Sequence, residues 1–181
     1  MKIILLAGKA ESGKTYTAEI MQKELSQSGL SVRIVPLALG LKLQARELGW
    51  NGNKDAKGRT FLQDLGKLMK TYHGKDYYAK KTIGKISTLS PFMDVIIVDD
   101  VRFPEEYKAF KGFNTSFVKI ERPNHENKLS PKQRKDISET ALDDFKGFDE
   151  IFTNSGKKDY DEIVKDYVKK SLLPSLKRKD Y

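Results

Sequence analysis

The segment Gly8-Lys9-Ala10-Glu11-Ser12-Gly13-Lys14-Thr15 follows directly on the apolar run Ile3-Ile4-Leu5-Leu6-Ala7. It leads into a helical stretch from Thr15 to about Ser28. A glycine-rich turn of the form G-x-x-x-x-G-K-[ST] lets successive backbone N–H groups converge on one point, and the positive end of the following helix strengthens the pull on an anion. Lys14 is then placed to reach the outer phosphates of a nucleoside triphosphate, and the Thr15 hydroxyl to ligate Mg²⁺. What separates a phosphate loop from an ordinary glycine turn is the strand before it and the helix after it, and both are present. The candidate ATP-binding residues are therefore Gly8, Lys9, Ala10, Glu11, Ser12, Gly13, Lys14, Thr15 and Tyr16. Such a loop also constrains the fold, because its strand belongs near the centre of an α/β sheet.

The rest of the chain alternates as that fold requires. Lys2 to Ala7 reads as the first strand, and Ala18, Met21 and Leu25 recur at helical spacing up to the stop at Gly29. Val32 to Val35 is a second strand ended by Pro36, and Leu39 to Leu48 an amphipathic helix. Trp50 to Gly58 is a polar loop, Arg59 to Tyr72 a helix with Phe61, Leu62, Leu65, Leu68 and Met69 on one side, and Asp76 to Lys85 a short helix. Val95 to Val98 is four branched apolar residues in a row, as in a parallel strand buried on both faces. Ser116 to Ile120 and Glu150 to Thr153 complete the strands. Residues 121–140 read as a polar, mobile excursion, and Asp159 to about Leu172 as a last helix stopped near Pro174. The expected architecture is an α/β phosphate-loop NTPase fold, a five-stranded parallel sheet flanked by helices, in one domain over residues 1–181.

Composition narrows the function classes. The 181 residues include no cysteine, which excludes disulfides and thiolate metal sites and suits a reducing, cytoplasmic compartment. Apolar runs of about five residues are far too short to span a bilayer, and no secretory leader is expected. The net charge of +9 suits either nucleic acid or polyphosphates. The lysines are spread along the chain and the densest run, Lys177-Arg178-Lys179, sits in a tail, so a small nucleotide is the expected partner rather than nucleic acid. The chain is expected to be a monomer or homodimer. His73 and His125 are far apart and lack metal-ligand spacing.

Two further signals accompany the phosphate loop. The strand Val95-Ile96-Ile97-Val98 ends in Asp99-Asp100, and an apolar strand ending in aspartate supplies the Mg²⁺ contact in phosphate-loop enzymes. Asp99 is the first candidate, with Thr15, for the metal, and Asp100 the second. Arg102 follows just past the same strand end, where ligands gather in open α/β sheets and a guanidinium grips phosphate with two N–H groups.

The stretch Asp99-Asp100-Val101-Arg102-Phe103-Pro104-Glu105-Glu106 resembles the "DVRFPNE" segment of phage-type deoxynucleoside monophosphate kinases. Arg59-Thr60-Phe61-Leu62-Gln63-Asp64-Leu65-Gly66 resembles their "R-x-x-L-Q-x-L-G" helix. Ser138-Glu139-Thr140-Ala141-Leu142, Phe148-Asp149-Glu150-Ile151 and Asn154-Ser155-Gly156 resemble their "SE…L…D-x-I-x-N-x-G" ending. The resemblance implies a nucleoside monophosphate kinase with ATP and Mg²⁺ at the phosphate loop. It implies a mobile acceptor-binding region at about 37–85 and a mobile lid at about 121–140. Lys42, Arg59, Gln63 and Arg102 would contact the acceptor, and Asn154 would lie near the adenine. Lys14 and Arg102, with Arg122 and Arg134 of the lid, are the implied catalytic residues; Lys128 is a further lid candidate. Trp50 and the pair Tyr77-Tyr78 are candidates for the acceptor pocket, though their pattern alone favours ordinary packing.

The sequence departs from that family at two places. Glu11 stands where a glycine is usual, and Leu65-Gly66-Lys67-Leu68-Met69-Lys70 lacks an expected arginine. Its ending also resembles animal-type phosphomevalonate kinases, and its layout dephospho-coenzyme A kinases, so another small-metabolite kinase is the nearest alternative. A nucleotide-dependent switch or ATPase, or a catalytically silent nucleotide-binding protein, is the alternative of a different class. No N-K-x-D or L-S-G-G-Q signature is present to favour a guanine-specific switch or an ABC-type ATPase.

Overall fold

The computed structural model describes residues 1–157 and 159–177. Five strands, β1 (Lys2–Ala7), β2 (Val32–Ile34), β3 (Val95–Val101), β4 (Thr115–Glu121) and β5 (Glu150–Thr153), form one sheet in the order β2-β3-β1-β4-β5, with every pairing parallel. The two central strands are the two most apolar runs. Each of their fully buried aliphatic side chains contributes about 1.5–3 kcal/mol on leaving water, which fixes β1 and β3 in the middle. Side-chain alternation along β1 serves both faces: Ile4 and Leu6 join one core, and Ile3, Leu5 and Ala7 join the other.

The first face is covered by α1 (Lys14–Gln27) and α8 (Asp159–Tyr167), joined where Thr17 Oγ1 and Tyr160 Oη share a buried hydrogen bond. The second is covered by α4 (Tyr77–Leu89) and α5 (Pro104–Ala109). Helices α2 (Leu39–Glu47) and α3 (Ala56–His73) stand beyond the carboxyl ends of the strands, as do α6 (Pro131–Arg134) and α7 (Ile137–Thr140) near the phosphate loop. The chain therefore reverses direction around β1, with β3 on one side and β4 on the other. In open α/β sheets that reversal point leaves a crevice for ligands.

Four local differences from the sequence reading have clear causes. Helix α3 begins at Ala56 rather than Arg59, because the Asp55 carboxylate caps it by accepting from the Gly58 N–H at 2.7 Å. Strand β3 continues through the two aspartates to Val101. Leu5 pairs with Val98 but Ala7 with Val101, so β3 carries one extra residue, and Asp100 takes a left-handed φ of 70° there. Residues 121–140 are not irregular throughout: a capping box between Ser130 and Gln133 nucleates α6, and the buried Gln133 amide donates to Ala56 O and Thr60 Oγ1 of α3. The last helical stretch does not stop at Pro174. A π turn at Val168–Leu172 widens the backbone where the proline ring would meet the preceding turn, and α9 (Leu173–Lys177) carries on.

Among the described residues no helix is long and apolar enough to cross a membrane. Arg178 and Lys179 of the basic tail lie outside the described residues.

Candidate active site

The loop between β1 and α1 is held open by its glycines. Gly8 has φ 148°, and a Cβ there would lie 2.4 Å from Ile120 O; Gly13 has φ 102°, and a Cβ there would lie 2.4 Å from Asn154 Nδ2. No L side chain fits either position without displacing backbone or the buried Asn154. Helix α1 starts at Lys14 with no side-chain cap, so its first turn keeps N–H groups for an anion. Lys14 is buried and donates to Gly8 O at 2.7 Å and Lys9 O at 2.8 Å, with Asp100 Oδ1 3.6 Å away. Burial, reinforced by the charge of Arg102, pulls the Lys14 ammonium down to about 8, against the opposing pull of Asp100, Glu139 and Asp99.

Thr15 Oγ1 donates to Asp99 Oδ2 at 3.2 Å. Among the described residues the other Asp99 oxygen, Oδ1, is buried without a hydrogen-bond partner, as is Ser12 Oγ. Burial, then the neighbouring Asp100 charge, pushes the Asp99 carboxyl above its ordinary value. A carboxylate oxygen left orphaned beside a threonine hydroxyl fits a hard cation, which would satisfy it and favour its ionised form. Among the described residues no three His, Cys, Asp or Glu side chains gather to hold a metal. A cation at Thr15 and Asp99 would complete its shell from phosphate and water oxygens, which suits Mg²⁺.

The extra residue in β3 aims the next side chain elsewhere. Asp100 accepts from Arg102 Nε at 2.9 Å and faces Lys14. Burial acts to raise the Asp100 carboxyl, but Arg102, Lys14 and Lys42 together hold it well below the usual carboxylate range. Arg102 also donates through Nη1 to Ser138 O at 3.3 Å and to Glu139 Oε1. Its guanidinium is held above its ordinary value by Asp100 and Glu139, which outweigh the effect of burial. Glu139 Oε2 in turn accepts from the Ala10 N–H of the phosphate loop at 2.8 Å. One carboxylate thus ties α7, the loop and Arg102 together. The sequence reading used Glu139 only as part of a family pattern; nothing in its spacing announced that link.

A cavity of about 800 Å³ opens beside this centre. Lys42, Arg59, Gln63 and Arg102, the four expected acceptor residues, all line it. Arg59 reaches the phosphate loop, donating through Nη2 to Glu11 Oε1 at 3.0 Å and through Nε to Lys54 O at 2.9 Å. Gln63 Nε2 lies 3.5 Å from Ser138 Oγ. Tyr78 lines the cavity and donates to Gln44 Oε1 at 2.9 Å, its phenol pushed up to about 12 by burial and then by Tyr77. Tyr77 stacks on His73, and Trp50 donates to Asn53 O away from the cavity wall. Where an arginine was expected, Lys67 and Lys70 line the cavity; Lys70 pairs with the buried Glu106 at 2.7 Å and stands 3.4 Å above the Phe103 ring. Lys54 lines the cavity as well, a residue the sequence reading left within a polar loop.

The unusual Glu11 sits at φ 62°, and its carboxylate pairs with Arg59 at 3.0 Å. Besides Arg59 it accepts from the Lys128 N–H at 3.3 Å and lies 3.5 Å from His125 Nε2. Its contacts are therefore cationic or N–H groups of α3 and the 121–130 segment. Arg122 Nη1 donates to Glu11 O at 3.4 Å. Arg134 donates to Leu129 O at 3.0 Å and Asn127 O at 3.1 Å, within its own segment and outside the cavity wall. Asn154 is buried, with Nδ2 on Ser12 O at 2.9 Å and Oδ1 accepting from the Gly156 N–H, so its amide braces the loop. Lys9 pairs with Asp143, and Tyr16 Oη donates to Asp161.

A glycine-framed loop between a central parallel strand and its helix, with Asp99 of the adjacent strand on Thr15, settles the fold class. This is a P-loop NTPase fold. No family model matches the chain, and no curated protein does. Solved structures do. A shikimate kinase from Bacteroides thetaiotaomicron is 12% identical, with 94% of this chain and 98% of that one covered and a TM-score of 0.48. A shikimate kinase from Aquifex aeolicus is 17% identical over 98% of this chain and 96% of that one, with a TM-score of 0.46. An APS kinase from Mycobacterium tuberculosis in complex with AMPPNP and APS is 12% identical over 93% and 95%, with a TM-score of 0.44. The likeness is one of layout, at identities where substrate chemistry does not carry across.

Proposed function

We propose that the protein transfers the terminal phosphoryl group of ATP to the phosphate of a (deoxy)nucleoside monophosphate, giving the diphosphate and ADP. One observation carries the reading. The cavity lined by Lys42, Arg59, Gln63 and Arg102 extends to Asp100, whose carboxylate lies 3.6 Å from Lys14 Nζ. A donor site and an acceptor site of suitable size thus share a border at the loop lysine.

The chemistry asks little of the protein beyond position and charge. An oxygen of the acceptor phosphate, already an anion, attacks the γ-phosphorus in line. Its new P–O bond forms as the bond to the β–γ bridging oxygen breaks, and that electron pair leaves on ADP. No general base is needed. Lys14 and the free N–H groups of the loop offset the charge spread over the transferred group. Mg²⁺, held by Thr15 and Asp99 when bound, would neutralise the charge of the triphosphate oxygens. Arg59 and Arg102 each keep one terminal nitrogen without a hydrogen-bond partner among the described residues, so each can add one donor to the acceptor beside its contacts within the protein. Arg122 beside Glu11 is the lid arginine nearest the loop and the one we assign to the transferring group; Arg134 holds the lid segment together.

A second reading has its own support. Much of the cavity wall is aliphatic, with Leu37, Leu41, Leu62 and Leu129 facing it, which suits an acceptor phosphate on an aliphatic body as in a phosphomevalonate kinase. A coupled ADP-release assay with ATP and Mg²⁺ separates the two. It screens deoxynucleoside and ribonucleoside monophosphates, then phosphomevalonate and dephospho-coenzyme A, with Lys14→Ala as the blank. Turnover on a nucleotide supports the leading reading; turnover only on a non-nucleotide moves the substrate class; a wild-type rate equal to the blank on every acceptor removes kinase activity altogether.

A further inference from the structure

Seven lysines and arginines line the cavity, and their charges are not equally available. Arg59 faces Glu11, Lys70 faces Glu106, Lys75 faces Glu105, and Arg102 lies between Asp100 and Glu139. Among the described residues the ammonium groups of Lys42, Lys54 and Lys67 have neither a carboxylate nor a hydrogen-bond acceptor. The arginines that a sequence reading assigns to the acceptor phosphate are therefore already neutralised, and the uncompensated positive charge of the cavity lies on lysines.

Two of those three lysines act on each other and on the phosphate-loop end. Lys42 lines the cavity together with Asp100, at the end where the cavity meets the loop lysine. Lys54 lines the same cavity from another element: Arg59 reaches from Glu11 of the loop to Lys54 O, fixing the backbone that carries Lys54. Partial desolvation in the cavity, then repulsion from Lys42, pulls the Lys54 ammonium below its ordinary value. Holding two like charges together without a counter-ion is unfavourable, and an anion with two charges between them removes that cost. Lys67 lies two helical turns further along α3 and belongs to no such pair.

We propose that Lys54 and Lys42 form the subsite that takes the acceptor's own phosphate, with Arg59 acting as the brace that presents Lys54. The assignment rests on the kinase reading of the same cavity and names its acceptor class: a phosphate monoester, rather than an alcohol. Lys42, on α2, and Lys54, just before α3, approach the phosphate from two elements.

The test uses the full chain with its phosphate loop saturated by a non-hydrolysable ATP analogue and Mg²⁺. Inorganic phosphate is titrated by calorimetry at low ionic strength into wild type, Lys54→Met, Lys54→Arg, and Lys85→Met, a change on the exposed face of α4 away from the cavity. Because the Lys54 ammonium has no partner among the described residues, its replacement orphans none of them, and equal melting temperatures confirm intact folding. Wild type and Lys85→Met are expected to bind one phosphate equally, Lys54→Met at least about tenfold more weakly, and Lys54→Arg close to wild type. In turnover, Lys54→Met and Lys42→Met each raise KM for the acceptor with kcat nearly unchanged. A wild type that binds no phosphate, or a Lys54→Met chain with wild-type affinity and KM, overturns the subsite and leaves the kinase reading standing. Phosphate binding through Lys54 with no turnover on any acceptor does the reverse.

Discussion

Replacing Arg102 by glutamine distinguishes a ligand-gripping arginine from one that holds the site together. Its guanidinium joins Asp100 and Glu139, whose side chains are 22% and 6% exposed. Arg102→Gln leaves both carboxylates behind. Removing one partner from a buried ion pair costs about 3–5 kcal/mol, most of it the uncompensated charge that remains. Asp100 keeps Lys14 at 3.6 Å and Glu139 keeps the Ala10 N–H, so the lower half of that range applies, about 3 kcal/mol. For a chain of this length that lowers Tm by roughly 6–12 °C. The assay is urea unfolding, followed by the emission of the single tryptophan, Trp50, and by far-UV circular dichroism. Two controls bind the loss to the stranded charge. Adding Glu139→Gln to Arg102→Gln should recover at least about 1 kcal/mol. Below about pH 4 the stability gap between the variant and wild type should narrow. Arg102 is the largest of the charges that hold the Asp100 carboxyl down, so wild type loses that stabilisation as pH falls and the variant has less of it to lose. An Arg102→Gln chain within about 1 kcal/mol of wild type, with only the acceptor KM raised, would refute the argument. Arg102 would then be a substrate ligand held by nothing.

Three other outcomes follow from the geometry. Asp99→Asn keeps an acceptor for Thr15 but removes the orphaned carboxylate oxygen; Mg²⁺-dependent ADP release should fall about 10- to 100-fold while stability to urea holds or rises, because burial already disfavours the charged Asp99. Full turnover in that variant would move the metal site elsewhere. Gly8→Ala places a Cβ 2.4 Å from Ile120 O at a φ of 148°, so a loss of about 2 kcal/mol or more is expected in thermal melts, and an unchanged Tm would mean the loop is not held as described. Tyr78, held up to about 12 against an ordinary 10.0, gives stability that is fully present below about pH 10 and is lost as pH rises through 12, about 2 to 3 kcal/mol in all. Tyr78→Phe should flatten that decline in alkaline urea titrations, and an unchanged slope would place the decline on another group.

Much of the architecture was legible in the chain because it depends on local pattern. The runs Ile3-Ile4-Leu5-Leu6-Ala7 and Val95-Ile96-Ile97-Val98 announce buried central strands, and the glycine spacing announces the loop between β1 and α1. Element ends were less legible, because they depend on side chains finding partners. The Asp55 cap advances α3 to Ala56, and Glu106, accepting from the Arg102 and Phe103 N–H groups, starts a helix α5 that no periodicity signalled. Short helices such as α6 and α7 escape a periodicity argument because each has only four residues.

The same division runs through the site. Residue identity and spacing alone determined that a glycine-framed loop joins the first strand to its helix, that Lys14 and Thr15 open that helix, and that two aspartates lie near the carboxyl end of a neighbouring strand. These features lie within single elements, where backbone geometry fixes which side chains share a place. Which charges are free was decided only by the tertiary structure. Glu11, Glu106 and Glu139 come from three separate segments, and each neutralises a cation that the sequence offers to a ligand; among the described residues Lys42 and Lys54 find no such partner. A charge acts over ångströms in space rather than positions in the chain, so the balance of the cavity emerges only when β1, α2, α3 and α7 are folded against one another.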